Sequence, residues 1–215
     1  MPPLPNESRR ALAAETRSRG RPSDPARRDA VLEAAKEAFA ERGFEAAGIR
    51  DIAGRLGLRS GAIYHHFASK EEILFEIVQE VYARSLKLLD RVRGIEESPV
   101  AALRELMRGH IDNITADTAT TELALNEYKS LSLSHARAID AEHRAYLGGF
   151  RELIRGGQDQ RLSRSDVDPE LATLVSVGAL NSTVRWYRGS ASRPAAEVAD
   201  AFVGILLEGL TGPID

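Results

Sequence analysis

Two groups of residues in this chain have the types and spacing to do chemistry. The first lies within 48–70. Ser60, Gly61, Tyr64 and His65 fall on one side of a short helix, with Ile63 and Phe67 on the other. Small residues at the start of such a helix let it approach a surface closely, while a phenol hydroxyl and an imidazole suit phosphates and base edges. That set of groups predicts a recognition helix entering the major groove by its N-terminal end. Arg27, Arg28, Arg50, Arg59 and Lys70 supply cations for phosphate. A packing motif with exposed aromatics is the other reading of the same residues.

The second group is spread over the later chain. Met107, His110, Asn113, Asn126, Tyr128 and Asn181 stand on or beside apolar helical stripes, and Arg185, Trp186 and Arg188 cluster at a helix end. Polar groups inside an apolar face cost free energy unless paired. A ligand cavity with apolar walls and a few polar anchors accounts for them, and so does ordinary pairing in a core or at the surface.

The elements that must position these residues are helices. Ile49, Ile52, Ala53 and Leu56 recur at i, i+3, i+4 and i+7. Gly57 stands where that helix must stop, Leu58 fills the turn, Arg59 or Ser60 opens the second helix, and Ser60 has the hydroxyl for a cap. A short helix, a glycine turn and a second short helix make a helix-turn-helix. Upstream, a helix over about 24–42 carries Val31, Leu32, Ala35, Ala38 and Phe39 inward and ends at Gly43, and Phe44 packs beneath the motif. Downstream, Ser69 caps a long helix reaching about Val92, with Glu71 and Glu72 in its first turn. Further helices are expected near 99–117, 120–131, 133–157, 168–188 and 194–211, with a polar loop over 156–169. No stretch alternates as a strand would.

The residues Arg50, Asp51, Ile52 and Ala53, then Gly57 and Leu58, the run from Gly61 to Phe67, and Ser69 to Glu72 together resemble the signature of TetR-family transcriptional regulators. Ala38, Phe39, Arg42, Gly43 and Phe44 extend the resemblance, which covers about 24–75. Gly48 and Arg59 stand where the family usually has Thr or Ser and Ser, so operator sequence does not transfer. The resemblance implies an all-α fold in two parts. An N-terminal three-helix helix-turn-helix domain, 24–70, follows a basic arm, 1–23, expected to be disordered. A C-terminal ligand-binding and dimerisation domain covers 71–215. It implies a homodimer on a double-stranded palindromic operator, repression, and release by a small effector. The dimer face is expected on the last two helices, where Leu171, Leu174, Val175, Gly178, Asn181 and Ser182, and Val198, Phe202, Ile205, Leu206, Gly209 and Leu210, recur at helical spacing. The segment 183–189 resembles that of TetR-family repressors of steroid and fatty-acid catabolism, which implies an acyl-CoA thioester as effector. Arginine pairs with phosphate and an indole can stack on adenine. The alternative within the family is an efflux-gene repressor sensing an uncharged hydrophobe.

Charge distribution fits DNA at one end. Residues 1–70 hold 13 Lys and Arg against 9 Asp and Glu, and 71–215 hold 16 against 23, within a net charge of −3. The absence of cysteine excludes disulfides and thiolate metal sites and accords with a reducing cytoplasm. No run is long and apolar enough for a membrane span. No nucleotide-binding loop or nucleophile motif is present, so no enzyme activity and no cofactor are expected. His110, Glu127 and His135 as a catalytic set, or His110, His135 and His143 as a metal site, are the competing readings from other classes.

Overall fold

The computed structural model describes residues 25–95, 98–187 and 193–211, and over these the chain is all-α with no strand. The helices are α1 (Pro25–Arg42), α2 (Ile49–Arg55), α3 (Ser60–Ile63), α4 (Lys70–Arg93), α5 (Pro99–Ala116), α6 (Thr118–Glu127), α7 (Leu133–Asp159), α8 (Pro169–Trp186) and α9 (Ala195–Thr211), with a 3-10 turn at Tyr128–Ser130. The basic arm and Arg188 lie outside the described residues.

Local chemistry explains most boundaries. Gly43 and Gly57 take φ of 76° and 63°, which a side chain resists, and each closes a helix. The Ser69 hydroxyl accepts from Glu72 N at 3.0 Å at the start of α4. Ser98 accepts from Ala101 N at 3.0 Å before Pro99, and Asp168 accepts from Glu170 N and Leu171 N before Pro169. Three expectations are corrected. Arg59, not Ser60, is the N-cap of α3, with no side-chain cap bond, so the Ser60 hydroxyl is not spent on the helix. The expected 120–131 helix starts two residues earlier, where Asp117 accepts from Thr120 N at 3.1 Å, and tightens into the 3-10 turn. The loop expected from 156 begins after Asp159 instead. Gly156 and Gly157 continue the helix, and a Cβ there would meet Pro99 at 3.1 Å and Ser163 at 2.9 Å; close packing, not loop freedom, favours glycine.

Two buried clusters form the interior. One, in the head, joins Val31, Phe39, Phe44, Ile52, Ile63 and Phe67 to Ile73, Leu74, Ile77 and Val78 of α4, and to Leu123, Ala124 and Ile139. The other, in the body, gathers Leu88, Leu89 and Val92 of α4 with residues of α5, α7, α8 and α9. α4 therefore has its N-terminal half in one core and its C-terminal half in the other. The two are held to their neighbours by different means: Arg28 of α1 pairs with Glu76 and Lys36 with Glu80 at 2.8 Å on the head side, while Leu88 and Leu89 sit over Gly109 and Gly149 on the body side.

Candidate nucleic-acid interface and effector cavity

On the head, α3 buries Ile63 and leaves Gly61, Tyr64 and His65 exposed, with Phe67 buried just beyond. Leu58 is partly buried against the head core and fixes the turn between α2 and α3. Gly48 starts α2 without a side-chain acceptor; its N–H donates to Asp51 Oδ2 at 2.8 Å, half of a capping box.

The basic residues of the head separate into two sets. Lys36, Arg42 and Arg55 pair with acidic neighbours, Arg42 reaching Asp51 at 2.8 Å and Arg55 reaching Glu37 at 3.0 Å and Glu41. Arg28, expected at a phosphate, is turned inward: its guanidinium lies 4.6 Å over the Phe67 ring and pairs with Glu76. Lys70 is likewise redirected. Its ammonium donates to the carbonyls of Phe44 at 2.7 Å, Ala47 at 3.1 Å and Glu45 at 3.3 Å, and stands 4.2 Å over the Phe44 ring. It ties the α1–α2 corner to the start of α4. Arg27, Arg50 and Arg59 are exposed and make no ion pair among the described residues.

Lys70→Met is expected to remove these charge-assisted bonds and to cost about 1–2 kcal/mol of stability, since the site is only partly shielded from water. The salt slope of DNA binding should stay the same. Thermal melting and affinity at several salt concentrations check this; a flatter slope with unchanged melting would assign Lys70 to phosphate after all.

The body holds a cavity of about 100 Å³ between α4, α5, α6, α7 and α8. Its apolar wall is Val81, Ile114, Leu125 and Val177, and its polar residues include Arg84, His110, Asn113, Tyr146 and Asn181. His110 Nδ1 is 2.8 Å from the Tyr146 hydroxyl and Nε2 is 3.0 Å from Asn181 Oδ1. A carbonyl oxygen only accepts, so Nε2 carries the proton and Nδ1 accepts from Tyr146. Burial pushes the His110 pKa down to about 4, which keeps this relay neutral, and burial raises Tyr146.

Of the residues expected at a ligand, the structure brings His110, Asn113 and Asn181 into this cavity. Met107 is fully buried in the body core and does not line it. Asn126 is exposed. Tyr128 belongs to the head side, where its hydroxyl donates to Asp140 and that bond raises its pKa to about 12. Arg185 and Trp186 are exposed at the C-terminal end of α8, with Trp186 stacked on Phe202 of α9 at 5.9 Å between centroids. Asn181 and Arg185 are i, i+4 on α8, so the helix face that enters the cavity continues to the arginine. The sequence reading missed Arg84, Ser85, Tyr82, His143 and Tyr146 as lining residues; the one signal was polar Arg84 and Ser85 interrupting the apolar stripe of α4.

The competing sets do not assemble. Glu127 accepts from Ser130 and from Phe44 N, and His135 Nδ1 bonds Glu71 at 2.8 Å while stacking on Phe75, each far in contact from His110 and its partners. Among the described residues no group of three or more His, Asp or Glu could hold a metal ion. Burial would raise the Glu71 carboxyl, but hydrogen bonds from Ser132 N and His135 hold it below its ordinary value.

A helix-turn-helix head carried on a helical body has the architecture of a DNA-binding regulator. Residues 31–77 match the family model for bacterial regulatory proteins of the tetR family, and 96–210 match the tetracyclin repressor-like C-terminal domain. The chain belongs to the TetR family, and it is a regulatory protein, not an enzyme. It is 32% identical over 206 residues to the transcriptional repressor KstR2 of Rhodococcus jostii, covering 87% of this chain and 92% of that one. The solved ketosteroid regulator KstR2 of Mycobacterium tuberculosis superposes with a TM-score of 0.81 at 28% identity, over 87% of this chain and 96% of the other. AibR in complex with isovaleryl coenzyme A and operator DNA gives 0.76 at 27% identity, over 83% and 97%.

Proposed function

We propose that this chain is a DNA-binding transcriptional repressor of the cytoplasm that works as a homodimer and is released from a palindromic operator by an acyl-CoA thioester. The observation that carries the reading is α4. Its first two turns lie in the core beneath the recognition helix, and one turn after those the cavity residues Val81, Tyr82, Arg84 and Ser85 begin. A ligand that binds one tilt of α4 better than another shifts the position of the head by that preference. α6 is a second link, since it places Leu123 and Ala124 in the head core and Thr121 and Leu125 in the cavity wall.

DNA contact is assigned to Arg27, Arg50 and Arg59 for phosphate, Tyr64 and His65 for phosphate or base edges, and Ser60 and Gly61 for close approach. The head then works through 24–70, and 71–215 serve ligand and dimer, with the start of α4 shared. Relatedness to AibR, solved with isovaleryl coenzyme A, supports the ester class, as does the run from Asn181 to Arg185 and Trp186. The acyl end enters the cavity, and the nucleotide end meets Arg185 and Trp186 outside. Selection of bound duplexes from a randomised pool should return an inverted repeat, released by an acyl-CoA. No enrichment would sink the DNA assignment. Release by an uncharged hydrophobe but by no ester would keep the repressor and discard the acyl-CoA.

A further inference from the structure

Two buried donors at the cavity wall are left open. Arg84 Nε and Asn113 Nδ2 are buried without a hydrogen-bond partner, and both are donors. Two acceptors nearby are already engaged: Asn181 Oδ1 takes the His110 proton and His110 Nδ1 takes that of Tyr146. Ser85 turns back to the Val81 carbonyl at 3.3 Å. Arg84 has no ion pair among the described residues, unlike Arg93 with Glu152, Arg108 with Asp200 and Arg151 with Glu170, whose partners lie at the exposed surface. A guanidinium nitrogen buried beside apolar walls without an acceptor is costly. Fold alone gives no return for it.

We propose that Arg84 and Asn113 are a ligand anchor, and that the effector's acyl group carries an oxygen acceptor, a ketone or a carboxylate, at its far end. This rests on the acyl-CoA reading for the orientation of the ligand. At about 100 Å³ the cavity admits a few heavy atoms, far short of the 300–1,000 Å³ of a pocket enclosing a whole cofactor-sized ligand. The tip of the acyl group is therefore what enters, with the thioester nearer Asn181 and the nucleotide beyond Arg185. The apolar wall of Val81, Ile114, Leu125 and Val177 receives its methylenes. The two donors receive its terminal oxygen. A plain alkyl tip fills the same space and leaves both donors unpaired, which is how such a site rejects it.

The test is calorimetry of the full chain with hexanoyl-CoA, 5-oxohexanoyl-CoA and adipoyl-CoA, and with the free acids 5-oxohexanoate and adipate. At least one oxygenated ester should bind ten-fold or more tightly than hexanoyl-CoA. Arg84→Met should bring that ratio close to one while keeping thermal melting, because it removes a buried donor nitrogen that no protein acceptor meets. Asn113→Leu should weaken the ketone more than the carboxylate, and the relative affinity of the two oxygenated esters tells which terminal group is held. Equal affinity for all three esters, or a ratio that survives Arg84→Met, overturns the anchor and leaves the acyl-CoA reading standing. Arg84-dependent binding of a free acid with no ester binding keeps the anchor and removes the CoA. No binding by any of the five ligands overturns both.

Discussion

Gly61→Leu is expected to abolish operator binding and leave a folded protein of unchanged oligomeric state. Gly61 is the second residue of α3, exposed, and a Cβ built on it meets nothing within 4 Å. The free protein accommodates a leucine there, and replacing a helical glycine adds a few tenths to about 1 kcal/mol of helix stability. The duplex does not accommodate it, because the start of a recognition helix lies against base edges. Affinity should fall more than 100-fold with melting equal or raised. Gly57→Leu is the contrasting control: at φ 63° it strains the turn itself and should lower melting. Gel-shift titration with melting curves separates the two, and operator binding by Gly61→Leu within a few-fold of the parent would place α3 away from the groove.

The second large effect concerns the outer face of α8 and α9. Leu171, Leu174 and Val175 are 63%, 52% and 65% exposed on α8, and Ile205 is 72% exposed on α9. Four large aliphatic residues left in water on two adjacent helices, next to Gly178 and Gly209 that also face outward, are what a self-complementary interface requires. Not all residues expected on this face lie at the surface. Val198 and Leu210 are buried in the body core, and Asn181 turns into the cavity. Leu174→Glu combined with Ile205→Glu should give a monomer by sedimentation, with secondary structure retained. Operator affinity should drop by about 10²–10⁴, because each head loses the effective concentration that its tethered twin provides. A parent protein that sediments as a monomer at micromolar concentration would remove this interface.

Legibility in the sequence followed the range of the determining interaction. The positive-φ glycines, the Ser69 cap and the apolar stripes of α1 and α4 depend on residues within a turn or two, so they could be read directly. The roles of Arg28 and Lys70 could not. A lysine at a helix start looks the same whether it faces solvent or three carbonyls 23–26 residues earlier in the chain. The cavity had the same difficulty. Whether Met107 or Arg84 lines it depends on how α6, α7 and α8 close over α4 and α5, and helical period alone puts Met107 and His110 on one face. Tyr128 misled for a related reason: its polar hydroxyl on an apolar helix end is satisfied by Asp140, twelve residues on, without a ligand.

Coupling through α4 is tested most directly by measuring operator affinity and ester affinity in one thermodynamic cycle. Fluorescence anisotropy of the selected operator is read with and without saturating 5-oxohexanoyl-CoA, isovaleryl-CoA or adipoyl-CoA at fixed salt, and ester affinity is read with and without operator. Each ligand should weaken the other by the same factor, about 5–150-fold for a coupling of about 1–3 kcal/mol. An ester that saturates the cavity while operator affinity stays unchanged would contradict a regulator in which the cavity moves the head.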